Sequence, residues 1–148
     1  MKISVKCDYA LRCLIDLALR QDEGSVHIES ISERHRIPLK FLQSIILVLK
    51  KNGLVDSKKG PGGGYRLRKS PREITLADVL SAMEGGIELV RGNLENRRRE
   101  DTMVRVAHHA WAQLEAAFAR QAKSIHLADL LEDYDRMSRA AHEPMYYI

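Results

Sequence analysis

The segment Lys58-Lys59-Gly60-Pro61-Gly62-Gly63-Gly64-Tyr65-Arg66-Leu67-Arg68 constrains this chain more than any other. Four glycines and a proline in five consecutive positions exclude a helix and an ordinary strand interior, so the backbone has to turn there. Leu54-Val55 before the glycines and the alternating Tyr65-Arg66-Leu67-Arg68 after them read as two short strands, hence a β-hairpin. Its tip is almost bare of side chains, and its legs carry Lys58, Lys59, Arg66 and Arg68. Such a tip approaches a phosphate backbone closely while the flanking cations neutralise it. A nucleotide-binding loop fits poorly. The dinucleotide fingerprint needs a helix directly after its glycines and the Walker pattern needs a Lys-Ser or Lys-Thr pair, and neither is present.

Charge is distributed unevenly along the 148 residues. Residues 1–72 hold 15 Lys/Arg against 7 Asp/Glu, whereas residues 73–148 hold 9 against 13. A basic first half joined to an acidic second half suggests a polyanion-binding module with an appendage. No apolar run reaches the roughly 18 residues that span a bilayer and no signal-peptide layout opens the chain, so a soluble, cytoplasmic protein without a membrane partner is expected. The two cysteines provide no disulfide framework. On one helix Cys7 and Cys13 lie about 9 Å apart along the axis, too far to bridge.

The periodicity upstream of the hairpin predicts three helices. Ser4 caps the first, whose apolar positions Ala10, Cys13, Leu14, Leu17 and Ala18 follow helical spacing. A short helix covers about Ile28 to His35, and a third runs from about Pro38 to Lys51, stopping at Asn52-Gly53. Leu39, Leu42, Ile45, Ile46 and Leu49 form its expected buried stripe, with Lys40, Gln43 and Ser44 on the other face. Two helices joined by a short turn, the second carrying polar residues early, match a helix-turn-helix, and the basic hairpin after it makes a winged helix. Gln pairs with adenine, Lys with guanine and Ser with either, so Lys40, Gln43 and Ser44 are the candidate base readers.

Downstream, Thr75 with Asp78 opens a helix from Leu76 to Glu84, ended by Gly85-Gly86. Periodicity then lapses to Asp101, and Arg97-Arg98-Arg99, bounded by acids, reads as a solvated patch on an exposed loop. Thr102 starts the longest regular segment, to near Ser124, with Val104, Ala107, Ala110, Trp111, Leu114, Ala117, Phe118 and Ala122 recurring every three or four residues. At about 30 Å it exceeds what a small winged domain needs, and alanines interleaved with large side chains suit close packing on a second helix. Val104, Ala107, Trp111, Leu114 and Phe118 are therefore the candidate homodimer contacts. Ile125-His126-Leu127-Ala128-Asp129 echoes Ile74-Thr75-Leu76-Ala77-Asp78, too briefly to be a repeat. The fold class is mainly α with a small β-hairpin. A winged helix-turn-helix domain spans 1–84, a loop 85–101, a dimerisation helix with a short helix 102–138, and a tail 139–148.

Met1-Lys2-Ile3-Ser4, Tyr9-Ala10-Leu11, Asp16-Leu17-Ala18, Ile31-Ser32-Glu33-Arg34, Leu49-Lys50-Lys51-Asn52-Gly53-Leu54-Val55, Gly60-Pro61-Gly62-Gly63-Gly64-Tyr65 and Ile74-Thr75-Leu76 resemble, in order and spacing, the Rrf2 family of dimeric winged-helix transcription regulators. The resemblance covers roughly residues 1–135, with the glycine-rich wing as its most specific part. It implies a homodimer on a pseudo-palindromic double-stranded DNA operator, with one recognition helix and one wing per half-site. By position it implies Lys40, Gln43 and Ser44 as major-groove readers and Lys58, Lys59, Gly60, Gly62, Gly63, Tyr65 and Arg66 as the wing. Cluster-binding relatives have Glu at the place of Gln43, and Gln adds a donor that Glu lacks.

Those relatives carry three cysteines in the loop after the wing domain, where residues 85–101 have none. Thiolates are the usual cluster ligands, so no iron–sulfur cofactor is expected, and Asp8 alone does not replace them. His108 and His109 point about 100° apart on a helix and form no same-face metal pair. Cys7, near a helix N-terminus, is the candidate redox residue with a lowered pKa, while Cys13 belongs to the core. A small effector or a partner protein are the other candidate signals. No nucleophile–base constellation suggests an enzyme. The expectation is a dimeric, sequence-specific DNA-binding repressor independent of a cluster. The alternatives are a winged-helix protein-interaction module, or a regulator that senses through thiol oxidation or an atypical metal site.

Overall fold

Ser4, in extended backbone, starts the first helix, α1 (Val5–Leu19), by accepting the Cys7 amide on its hydroxyl at 3.1 Å. The computed structural model describes residues 2–89 and 101–144. A short 3₁₀ turn over Gln21–Glu23 leads to α2 (Ile28–His35). Arg36, in the left-handed region at φ 52°, turns the chain, and α3 (Leu39–Lys51) follows with Pro38 at its N-cap. Ser32 braces the turn, since its hydroxyl donates to the Ile37 carbonyl at 2.6 Å while the Ile37 amide donates to the Ser32 carbonyl. The hairpin is β1 (Val55–Lys58) against β2 (Gly64–Leu67), antiparallel, with Val55 opposite Leu67 and Lys58 opposite Gly64. Then come α4 (Leu76–Glu84), α5 (Thr102–Ser124) and α6 (Leu127–His142).

α1 is the hub. It packs on α2, α3, α4, α6 and β2, and its residues Ala10, Cys13, Leu14 and Leu17 are essentially inaccessible. Ile31, Ile37, Leu42, Ile45, Ile46, Leu49, Leu54 and Val55 complete the centre of the core. At its N-terminus α1 is tied to the end of α4, where a Glu84 carboxylate oxygen accepts both the amide (2.9 Å) and the hydroxyl of Ser4.

Most expected helix boundaries hold. Leu39 departs from its expected burial: it lies at the first position of α3, where the core no longer reaches, and is 37% exposed. The last helix also continues to His142, four residues into the expected tail, where Arg139–Asp135 pairing extends the final turns. The arginine run 97–99 and the segment 145–148 lie outside the described residues. The two echoing segments meet each other. Thr75 bridges His126 antiparallel, with the Leu76 amide on the Ile125 carbonyl and the Leu127 amide on the Ile74 carbonyl, both at 2.8 Å. Each then opens a helix on an aspartate that accepts the preceding backbone amide, Asp78 from Thr75 and Asp129 from His126. This pairing joins the end of α5 and the start of α6 to the winged domain.

Among the described residues, one buried charge stands inside this frame. Asp16 of α1 is 2% exposed and accepts a two-pronged bond from Arg34 (3.0 and 2.7 Å) and one from His35 (2.8 Å), with Arg20 at 3.4 Å. Burial pushes its pKa up, but the hydrogen bonds and charges of Arg34 and His35 outweigh that and hold the carboxyl below its ordinary value. Asp16→Asn removes the charge that Arg34 faces, and a loss of about 2–3 kcal/mol in unfolding free energy is expected by chemical denaturation. Because the folded pKa is depressed, the charge contributes fully above the unfolded value and its contribution is lost as pH falls through the folded one. Wild-type stability therefore drops more steeply than that of Asp16→Asn below about pH 4.

Candidate nucleic-acid interface

The outward face of α3 is set by the burial of Leu42, Ile45, Ile46 and Leu49 on the opposite side. That burial leaves Lys40 and Gln43 exposed together in the first turns. Ser44 is half-buried, and its hydroxyl donates to the Phe41 carbonyl at 2.8 Å, so its remaining capacity is as an acceptor. Sequence reasoning missed Phe41, whose ring is 47% exposed with the Lys6 ammonium 5.7 Å from its centre. The contact brings a cation of α1 to the start of α3. An aromatic residue one place from the expected readers was the available signal.

The hairpin tip is a tight turn. The Gly63 amide donates to the Gly60 carbonyl at 2.9 Å, with Pro61 first and Gly62 (φ +70°) second in the turn, a type II arrangement. Past the tip, the backbone closes on the body. The Val26 amide donates to the Tyr65 carbonyl and the Tyr65 amide to the Val26 carbonyl, both at 2.8 Å. A Cβ on Gly64 would lie 2.5 Å from the Val26 carbonyl oxygen. The hairpin is thereby fastened to residue 26, a one-residue bridge too short to be read from periodicity.

The cations of the wing and of the adjoining end of α3 divide by surroundings. Lys58, Lys59 and Arg66 are exposed, Lys50 donates to Ser57 Oγ at 2.7 Å, and Arg68 lies 4.0 Å from Asp56. Tyr65 is half-buried and packs on the core, so it anchors the wing more than it projects from it. The exposed row of α3 and the exposed cations of the wing thus flank one core, both held by buried neighbours.

On α5 the described faces differ sharply. Ala122 is buried and Val104, Glu115 and Ala119 half-buried, whereas Met103 (76%), Val106 (61%), Trp111 (51%), Leu114 (52%) and Phe118 (37%) are exposed. Of the expected dimer contacts, Ala107, Trp111, Leu114 and Phe118 lie on the exposed face and Val104 at its edge. A cavity of about 100 Å³ lies elsewhere, between the first residues of the chain and the end of α4, bordered by Lys2, Ile3, Leu80, Glu84, Ile87 and Glu88.

Cys7 departs from the expected lowered pKa. It is 3% exposed, and burial, with the negative charges of Glu84 and Asp8, pushes its thiol up to about 11. The helix N-terminus does not overcome that desolvation. Burial and nearby Asp16 likewise push Cys13 up to about 12. Asp8 pairs with Arg12 at 2.8 Å, and His109 Nε2 meets the Gln113 amide at 2.9 Å. Among the described residues, no three His, Cys, Asp or Glu side chains are gathered to hold a metal ion. With both thiols of the chain buried in α1, the donor set does not fit an iron–sulfur cluster of the usual thiolate kind.

Comparison with known proteins is consistent along the chain. The family model Rrf2, described as an iron-dependent transcriptional regulator, matches residues 3–133. The transcriptional regulator IscR of Photorhabdus laumondii is 34% identical over 97% of this chain and 87% of its own length. The structure of T. potens IscR superposes with a TM-score of 0.73 at 31% identity, covering 99% of this chain and 97% of that one. CymR (YrzC), the global cysteine regulator of B. subtilis, gives 0.76 at 29% identity, covering 89% and 97%.

Two measurements check this geometry. Gly64→Ala should lower stability by about 2–3 kcal/mol, because its methyl meets backbone, whereas Gly62→Ala, with open space around it, should cost about 1 kcal/mol. Thermal denaturation of the two variants separates them. With a pKa near 11, Cys7 should react with a thiol reagent at pH 8 far more slowly in the native protein than after unfolding.

Proposed function

This chain belongs to the Rrf2 family of transcriptional regulators, a non-enzymatic family, and carries its winged-helix DNA-binding fold; from that premise we propose that it is a homodimeric repressor of a pseudo-palindromic operator. The observation that carries this reading is the placement of two exposed cationic and polar elements, the Lys40–Gln43–Ser44 row and the Lys58, Lys59 and Arg66 wing, on one rigid core. Lys40, Gln43 and Ser44 meet base edges in the major groove. Gly60, Gly62 and Gly63 let the wing backbone approach phosphates, Lys58, Lys59 and Arg66 neutralise them, and Tyr65 holds the wing to the body.

The apolar face of α5 packs on the same face of a second copy. Five exposed large side chains on one long helix are poorly explained by solvent, and a two-fold arrangement covers both copies at once. Regulation runs without an iron–sulfur cluster, given the two buried thiols. The burial of Cys7 disfavours a thiolate sensor, and a small effector or a partner protein is the proposed signal. A protein-interaction module without DNA reading has no specific observation in its favour.

DNA binding measured across a salt series tests the assignment. Lys59→Ala should weaken binding to all duplexes about equally and reduce the salt slope by about one per wing. Gln43→Ala should instead shift which bases are preferred at one position per half-site. Leu114→Glu should convert the dimer to a monomer in sedimentation and lower operator affinity with it. Wild-type behaviour of all three variants would overturn the reading.

A further inference from the structure

Leu47 is the most exposed large apolar residue of α3, at 64%. It is not at the helix edge. It follows Gln43 by four residues and Ser44 by three, so it continues their row one turn on, opposite the buried Leu42, Ile45, Ile46 and Leu49. Lys40, Gln43, Ser44 and Leu47 therefore stand at i, i+3, i+4 and i+7. This is the spacing at which a helix lying in the major groove brings successive side chains to base edges. The first three positions offer hydrogen-bonding groups, and the fourth offers only methyl groups.

One base-edge feature in the major groove is apolar, the C5-methyl of thymine. The surroundings favour DNA over an apolar protein surface as the occupant. Lys40, Lys50 and Lys51 are exposed on the same helix, and Lys58, Lys59 and Arg66 on the adjacent wing, so an apolar partner would have to approach through a ring of cations. Leu39 and Phe41, the other exposed large apolar residues of α3, lie off this row, and Phe41 already has Lys6 over its ring.

We propose that Leu47 is a specificity-determining residue that selects a thymine by packing on its C5-methyl group, one turn of helix beyond the base read by Gln43. This inference rests on the reading of α3 as the recognition helix. Leu47 makes no contribution to the buried core, so its replacement by alanine leaves the fold intact.

The test is methyl deletion from the DNA. The full-length protein is first used to select preferred duplexes from a random-sequence pool. Each thymine of the selected site is then replaced singly by deoxyuracil, which removes the methyl and nothing else. At one thymine per half-site the wild-type affinity should fall about fourfold, and about fifteenfold when both half-sites are changed. Leu47→Ala should lose a similar factor on the unmodified site and show no further loss with deoxyuracil at that position. Wild-type binding that is indifferent to every deoxyuracil overturns the proposal while leaving operator binding intact. So does a Leu47→Ala variant that keeps the wild-type methyl sensitivity. If no sequence is enriched from the pool, operator recognition itself fails, and the role of Leu47 fails with it.

Discussion

The buried carboxylate of Asp16 sets the position of α2 against α1. Asp16 lies in the most buried helix of the molecule, where an uncompensated charge is costly, and it is satisfied from α2 by Arg34 and His35. Both partners sit in the last turn of α2, just before the left-handed Arg36 that redirects the chain into α3. A two-pronged bond to a guanidinium fixes orientation as well as distance. The direction in which α3 leaves α2 is thus inherited from an electrostatic contact on the far side of the turn. The Ser32–Ile37 hydrogen bonds then carry that direction across it.

The wing depends on a different constraint, backbone approach without side chains. Gly64 lets β2 close on Val26, and the two reciprocal 2.8 Å hydrogen bonds hold the hairpin at one angle to the helical core. α3 and the hairpin are consequently two arms of one body. The paired segments around Thr75 and His126 tie that body to α5 and α6, while the large side chains of α5 face outward. The α5 face is thus linked to the winged domain by the chain itself and by these hydrogen bonds, with Leu127 in the shared core.

Much of this was legible in the sequence, for local reasons. Ser4, the Thr75–Asp78 pair and Gly85 are caps whose chemistry acts within a few residues, so α1 and α4 were bounded correctly. The glycine-rich turn was equally readable, since few other structures accommodate it. What escaped depends on distance along the chain. Asp16 meets Arg34 across 18 positions, a separation that local periodicity does not report. Val26 forms a single-residue bridge with no period to detect. Helix position alone predicts a lowered pKa for Cys7, whereas its burial, set by packing, decides the direction. The echo of residues 74–78 in 125–129 was visible, but its meaning, two segments paired with each other, needed three dimensions.

Two copies of this chain, joined through α5, are proposed to read one operator without an iron–sulfur cluster. Sedimentation of the protein with a selected operator duplex, in the presence of an iron chelator and with iron assayed in parallel, tests this most directly. An iron-free complex of two chains on one duplex, present at low salt and weakening as salt rises, is the expected result. A complex that forms only after iron and sulfide are restored, or one with a single chain per duplex, would contradict it.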